Sequence, residues 1–301
     1  MRFLSSEESE RIRKLHIARQ KQLKQLLKKQ NEEEQPAANA GAGWGFAPVD
    51  SVGADGLSRR SFEVYRYLSK ACRTEDWQVS CLNDKRILQH LMLLDHGRLR
   101  RSAVLLFHSD PGSIFPGFGV TLIQSRKDTA LLATSTLTGS INTIIWYLRG
   151  VDYTAYKERR YTYCNDISTW VRRACLNALV NNNYAAGRSI EVFIGDDEIS
   201  VRSSCILPDG WTPERLLRSW LDAPFNPEIA LAFCAVGFYC PGYDLLEEQK
   251  FGVPKCTVQG DVLTVSLEIF RDFMPKDYRG YDEYDKDAED DDDDDYDEED
   301  D

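Results

Sequence analysis

The sequence predicts an α+β domain, a two-layer α/β sandwich in which strands pack against helices. Three observations predict it. Apolar residues recur at three-and-four spacing in several segments, the mark of helices with one buried face. Short runs of β-branched residues, two of them joined by a tight turn, read as strands. Hydrophobic content of 42%, with 11% aromatic, is enough to build a core.

In chain order, residues 7–30 read as one basic amphipathic helix, or a coiled-coil arm. Ser5 or Ser6 can cap it, and Glu7, Glu8 and Glu10 lie at the positive end of its dipole. From Arg11 to Lys29 it carries eight cations and no acid: Arg11, Arg13, Lys14, Arg19, Lys21, Lys24, Lys28 and Lys29. Ile12, Leu15, Leu23, Leu26 and Leu27 form a broken apolar stripe. Such a helix suits nucleic acid, an acidic protein surface or a membrane face; the alternative is a solvated arm with no dedicated ligand. Residues 35–58 are rich in Ala, Gly and Pro without periodicity and read as a flexible linker. The buried domain is expected from about Arg59 to Phe273.

Phe62, Tyr65 and Leu68, then Ile87, Leu88, Leu91 and Leu94, predict two helices. Ala103–Phe107 (AVLLF), bounded by charges and by DPG, reads as a buried strand, and Val120–Ile123 as a second. Helices are expected at Ile141–Leu148 and Ser168–Val180, the latter with Arg172, Arg173 and Asn177 on a polar face. Ile190–Ile194 and Ile199–Arg202 form a hairpin across Gly195–Asp197, where Asp196 and Asp197 serve the turn. Pro213–Trp220 and Pro227–Phe238 are helices, each with proline in its first turn, and Leu263–Ile269 alternates as a closing strand.

Charge is unevenly spread. The net −12 arises in the tail, where residues 276–301 hold 17 Asp/Glu against three Lys/Arg and leave 34 basic and 32 acidic residues in 1–275. A tail so self-repelling is expected to be disordered, either solubilising or bound to a basic surface such as the 11–29 helix. No apolar run reaches the length that crosses a bilayer, and no h-region of a secretory signal precedes the first helix. The eight cysteines are scattered singly and the four histidines (His16, His90, His96, His108) show no metal-ligand spacing with them. That usage fits reduced, mostly buried thiols in a cytoplasmic protein without a metal.

Four segments together resemble a known family. GRLRRSAVLLFHSDPGSIFPG (97–117), RRACLNALVNNNY (172–184), DDEISVRSSCILPDG (196–210) and NPEIALAFCAVGFYCPGYDLL (226–246) occur in the order seen in RecG-like, Schlafen/AlbA-associated ATP-binding regulators. The resemblance implies a GHKL-type nucleotide-binding fold, with an α/β subdomain at 59–165, a GHKL-like subdomain at 166–274, the basic helix at 1–34, the linker at 35–58 and the acidic tail at 275–301. The AlbA-type and winged-helix domains that the family commonly adds are not visible.

The same resemblance implies a degenerate site. The amide that would hold Mg²⁺ among the phosphates is Asn177, whereas the water-activating carboxylate position one helical turn earlier is Arg173, which cannot act as a base at neutral pH. The tripeptide HRD is replaced by Asn181, Asn182 and Asn183, ahead of a retained Tyr184. Paired glycines become Cys205 and Ile206, beside Ser203, and the glycine loop reads Cys240, Pro241, Gly242, Tyr243 with a single glycine. Ser203, Ser204 and Cys205 have no histidine placed to make a nucleophile–base pair. The tyrosines at 153, 156, 161 and 163, interleaved with Lys157, Arg159 and Arg160, could stack bases or form a half-buried segment.

The expectation is a non-enzymatic regulator or adaptor, a pseudoenzyme without a cofactor. Its partners would be proteins or nucleic acid met through the basic helix, with no membrane contact; homodimerisation stays open. The alternative is a nucleotide-sensing transcription regulator that still binds ATP and Mg²⁺ without efficient hydrolysis.

Overall fold

The computed structural model describes residues 6–32, 43–71, 79–124, 129–133, 136, 139–140, 159–195, 198–219, 224–238, 245–246 and 254–268. A six-stranded mixed sheet organises them. It contains β4 (Val120–Gln124), β5 (Thr129–Ala133), β6 (Ile190–Ile194), β7 (Glu198–Ser204), β8 (Lys255–Gln259) and β9 (Val262–Glu268), in the order β5-β4-β6-β7-β9-β8. β4 and β6 run parallel, Val120 opposite Ile190, and the other neighbours are antiparallel. A parallel pair needs a long crossover, and helix α6 (Arg159–Asn181) lies in that connection and packs on β6 and β7.

β9 shows how the sheet is sided. Leu263, Val265 and Leu267 are buried and alternate with the partly exposed Val262, Thr264 and Ser266, the period-2 pattern of a strand with one covered face. On the covered side the core is one continuous cluster, from Leu23 to Leu267.

A smaller layer precedes the sheet. Helices α2 (Arg59–Ala71), α3 (Asp84–His90), α4 (Arg101–Phe107) and α5 (Pro111–Ile114) surround a three-stranded sheet of β1 (Pro48–Val49), β2 (Leu94–Asp95) and β3 (Arg98–Arg100). α7 (Pro213–Ser219) and α8 (Pro227–Ala235) complete the fold.

Several expectations change. Ala103–Phe107 is not a strand but helix α4, with every residue from Ser102 to Phe107 buried. Five consecutive apolar residues fit a buried helix as well as a buried strand, and Ala and Leu favour the helix. Phe107 stacks on Phe62 at 4.2 Å and meets Tyr65 edge-on at 5.3 Å, so neighbours on more than one side satisfy it. The helix expected through Leu94 stops at His90, because the chain reverses through Met92 (φ 58°) into the β2–β3 hairpin. The helix expected at Ser168–Val180 is longer, Arg159–Asn181, and α8 ends at Ala235 rather than Phe238.

The 35–58 linker is only partly one. From residue 43 the chain makes two 3₁₀ turns and β1, which pairs Pro48 with Arg100 and Val49 with Leu99. Val49, Val52 and Leu57 are buried, and the Trp44 ring packs on Phe115 at 5.0 Å and Tyr184 at 5.8 Å. A few large anchors in a small-residue run order it where average composition suggests none. Nor does a boundary at 165/166 separate two subdomains. It falls inside α6, and β4 from the first half pairs with β6 from the second.

Helix α1 (Ser6–Glu32) matches the expected basic helix but is no solvated arm. Leu23 and Leu27 are 1% and 0% exposed, and Gln20 Nε2 donates to the Cys234 carbonyl at 3.5 Å. The cause lies in α8, whose residues Pro227–Ala235 are all buried. A helix apolar on every side needs cover on every side, and α1, α4 and α6 all pack against it. Among the described residues no helix is long and apolar enough to cross a membrane. The expected helix at Ile141–Leu148, Tyr153, Tyr156, Lys157, the Asp196–Asp197 turn, the loop with Gly242 and the acidic tail lie outside the described residues.

Candidate functional site

The C-terminal half of α6 carries Arg173, Asn177 and Asn181, and Asn182, Asn183 and Tyr184 follow it. Arg173 is partly buried, whereas Asn177 is 1% exposed and lies inside the fold, not on a polar face. Its Nδ2 has no hydrogen-bond partner among the described residues. The asparagines that follow are structural staples. Asn181 Nδ2 donates to the Asn177 carbonyl at 3.3 Å, and its Oδ1 accepts from Phe225 N at 3.2 Å. Asn182 Oδ1 accepts from Ser204 N at 3.1 Å, and Asn183 Oδ1 from Ala185 N at 3.2 Å. Asn226 Nδ2 donates to the carbonyls of Val180 and Asn182, at 3.0 and 2.8 Å. Tyr184 closes the knot by donating its hydroxyl to the Leu179 carbonyl at 2.8 Å.

A helix ends with unpaired carbonyls, and here amide side chains satisfy them while joining α6 to β7 and α8. Cys205 belongs to the same knot: Asn182 bridges to it, its N–H donates to the Asp261 carbonyl at 2.7 Å, and it is 5% exposed. Burial pushes its thiol up to about 11, and that of Cys175 on α6 up to about 12, away from the reactive thiolate. Ile206 is partly buried. Ser203 and Ser204 end strand β7 and are not on a loop.

These residues do not fit a Mg²⁺–nucleotide. Mg²⁺ takes an octahedron of oxygen ligands, normally with carboxylates, yet among the described residues no group of three His, Cys, Asp or Glu is placed to hold a metal. Asn181 and Asn182 spend their amides on backbone.

Ser203 borders open space together with Ser204. It lines a cleft of about 860 Å³ at one end of the sheet, with Thr121, Arg188 and Arg202. Both cations are met by acids, Arg188 by Asp261 at 3.0 Å and Arg202 by Glu191 at 4.0 Å. Gly117 (φ 84°) closes the cleft floor, since a Cβ there would lie 1.9 Å from the Gly187 carbonyl oxygen.

A buried carboxylate escaped the sequence reading. Glu228, in the first turn of α8, is 1% exposed, and neither carboxylate oxygen has a hydrogen-bond partner among the described residues. Its Oε1 lies over Gly45, where a Cβ would come within 2.0 Å. Burial pushes the carboxyl up to about 7, against the pull of its own backbone N–H and of the Arg100 charge. Arg100 is 6% exposed and lies over the Phe46 ring at 4.7 Å, and the Tyr184 hydroxyl is pushed up by burial and by the Glu228 charge. An acid in a first turn reads from sequence as a helix-dipole partner; only the wholly apolar remainder of α8 hinted at burial.

The cations of α1 point mostly outward. Lys14, Lys21, Lys28 and Lys29 are exposed, and Lys14 pairs with Glu10 at 3.8 Å. Arg19 and Lys24 are partly buried, Arg19 donating to Gln22 Oε1 at 2.8 Å and Lys24 Nζ lying 3.4 Å from His90 Nε2. Arg11 and Arg13 are within α1, with side chains outside the described residues.

No family model and no curated protein matches the chain. Among solved structures it is similar to the DIP2311 protein from Corynebacterium diphtheriae, with a TM-score of 0.54 over 75% of this chain at 17% identity. The match covers 46% of that protein, so this chain spans under half its length. At that identity the likeness concerns the mixed α/β fold alone.

Proposed function

We propose that this protein is a non-catalytic regulatory adaptor, a degenerate GHKL-like domain of RecG-like type that works with nucleic-acid or transcription machinery through the exposed lysines of α1. The observation that carries the reading is the asparagine knot. Where the resemblance puts phosphate and water chemistry, Asn181, Asn182 and Cys205 are buried and hold backbone groups. The buried free thiols Cys175 and Cys205 support placing it in a reducing, cytoplasmic setting.

A second reading, a nucleotide sensor without turnover, is favoured by one atom, the unpartnered Asn177 Nδ2. Thermal unfolding in Mg-ATP separates them. A site filled at a hundred times its Kd adds about 2.7 kcal/mol, which is about 5–10 °C for a domain of this size. The adaptor reading expects no saturable shift, and Arg173→Glu is expected to create no hydrolysis. A saturable shift at micromolar nucleotide would replace the adaptor by the sensor.

A further inference from the structure

We propose that the acidic C-terminal segment, residues 290–301, docks in cis on the lysine row of α1 and competes there with any polyanionic partner. The inference deepens the reading of α1 as a partner surface and rests on it.

Packing fixes which way the row faces. Gln20, Leu23 and Leu27 are buried against the domain. At 100° per residue, positions 14, 21 and 28, all lysine and all exposed, run along one flank of α1, about 105–150° around from that buried side. They recur every seven residues, so their charges stand about 10.5 Å apart along the axis. Between Arg11 and Lys29 there is no acid to dilute them. Elsewhere, several described cations are met by acids: Arg59 by Glu63, Arg66 by Asp84, Arg98 by Asp50 and Asp95, Lys255 by Glu268. Lys21 and Lys28 have no such partner among the described residues.

The occupant is named by its charge and its spacing. Residues 290–295 are six consecutive Asp, followed by Tyr296 and then Asp297, Glu298, Glu299, Asp300 and Asp301. A polyproline-II chain has three residues per turn and rises about 3.1 Å per residue, so in that conformation every third carboxylate of such a run falls on one side at about 9 Å, close to the lysine interval. The tether is long enough. β9 ends at Glu268, and the residues between it and Asp290 reach about 70 Å when extended. A domain of this length has a radius of gyration of only about 18 Å. A tether of this reach gives its end roughly millimolar effective concentration. A weak, salt-sensitive contact is therefore well occupied until a partner of higher charge density displaces it.

The full-length chain tests this with a zero-length carbodiimide, which joins a lysine to a carboxylate only where they touch. The expected products are links from the 290–301 segment to Lys14, Lys21 or Lys28 within one chain, fading in about 0.5 M salt, where screening reaches only a few ångströms. A 1:1 mixture of isotope-labelled and unlabelled chains separates links within a chain from links between chains. Tail links that avoid these lysines, persist in salt, or form only between chains would overturn the proposal. Because these lysines are exposed, K14Q/K21Q/K28Q is expected to fold, with an unchanged circular dichroism spectrum, and to lose the links.

A short single-stranded DNA then separates this inference from the reading beneath it. With Asp290–Asp295 all changed to Asn, its affinity is expected to rise about tenfold, taking about 1 mM of tethered tail against a site of about 0.1 mM. DNA that binds neither chain, with the links intact, leaves the docking in place and removes the nucleic-acid partner. DNA that binds both chains equally well overturns the competition.

Discussion

Glu228→Gln offers the sharpest test of how the interior is built. Burial takes the carboxyl from its ordinary value of 4.5 to about 7 in the folded chain. The folded state therefore holds this proton more tightly than the unfolded state does. Below about pH 4.5 the residue is neutral in both states and costs little. As pH rises toward 7 the unfolded chain ionises first and stability falls. Above 7 the full cost is present, about 3 kcal/mol at 1.36 kcal/mol per unit. About 2.5 kcal/mol of this cost builds up between pH 5 and pH 8, which for a domain of this size corresponds to about 5–10 °C in Tm. Gln has nearly the same shape and no charge to bury, so it should lose this part of the pH dependence while retaining the fold. The assay is thermal unfolding of both proteins across that range, and the quantity read is the difference between their curves. Other groups titrate equally in both proteins and cancel. Parallel curves would refute the argument, because a relaxed or solvated Glu228 has no raised pKa to lose.

Two other outcomes follow from the packing. Leu27→Ala, at the α1–α8 contact, should cost about 2–4 kcal/mol, whereas Lys21→Gln one turn and a half away should stay within about 0.5 kcal/mol; urea unfolding of both variants reads the contrast, and equal effects would mean that α1 is not docked. At pH 8 the exposed Cys81 should react with a thiol reagent long before the buried Cys175 and Cys205, as peptide mass spectrometry of the labelled chain would record.

What could be read in advance was what has a local signal. The β6–β7 hairpin, β4 and β9 follow from alternation and a glycine turn, and α7 and α8 from proline in the first turn. What could not be read depends on distant residues. α4 is helical because other elements cover it all round, a fact absent from AVLLF itself. The 43–58 segment is ordered by Trp44, Val49 and Val52 meeting partners far along the chain. The resemblance located Asn177, Asn181, Asn182 and Cys205 as a group but not their structural employment, because an amide that caps a carbonyl and one that holds a ligand are the same letter. Glu228 had no local signature of burial beyond its apolar neighbours.

The docking of α1 on α8 sets a schedule for synthesis. Leu23 and Leu27 leave the ribosome about two hundred residues before the helix at Pro227–Ala235 that covers them. At about 5–20 residues per second that is a delay of roughly 10–40 s. Throughout it the first helix lacks the α8 face that covers its apolar stripe. Nascent chains of this protein are therefore expected to need a chaperone near the exit tunnel, and to complete their core only as translation ends.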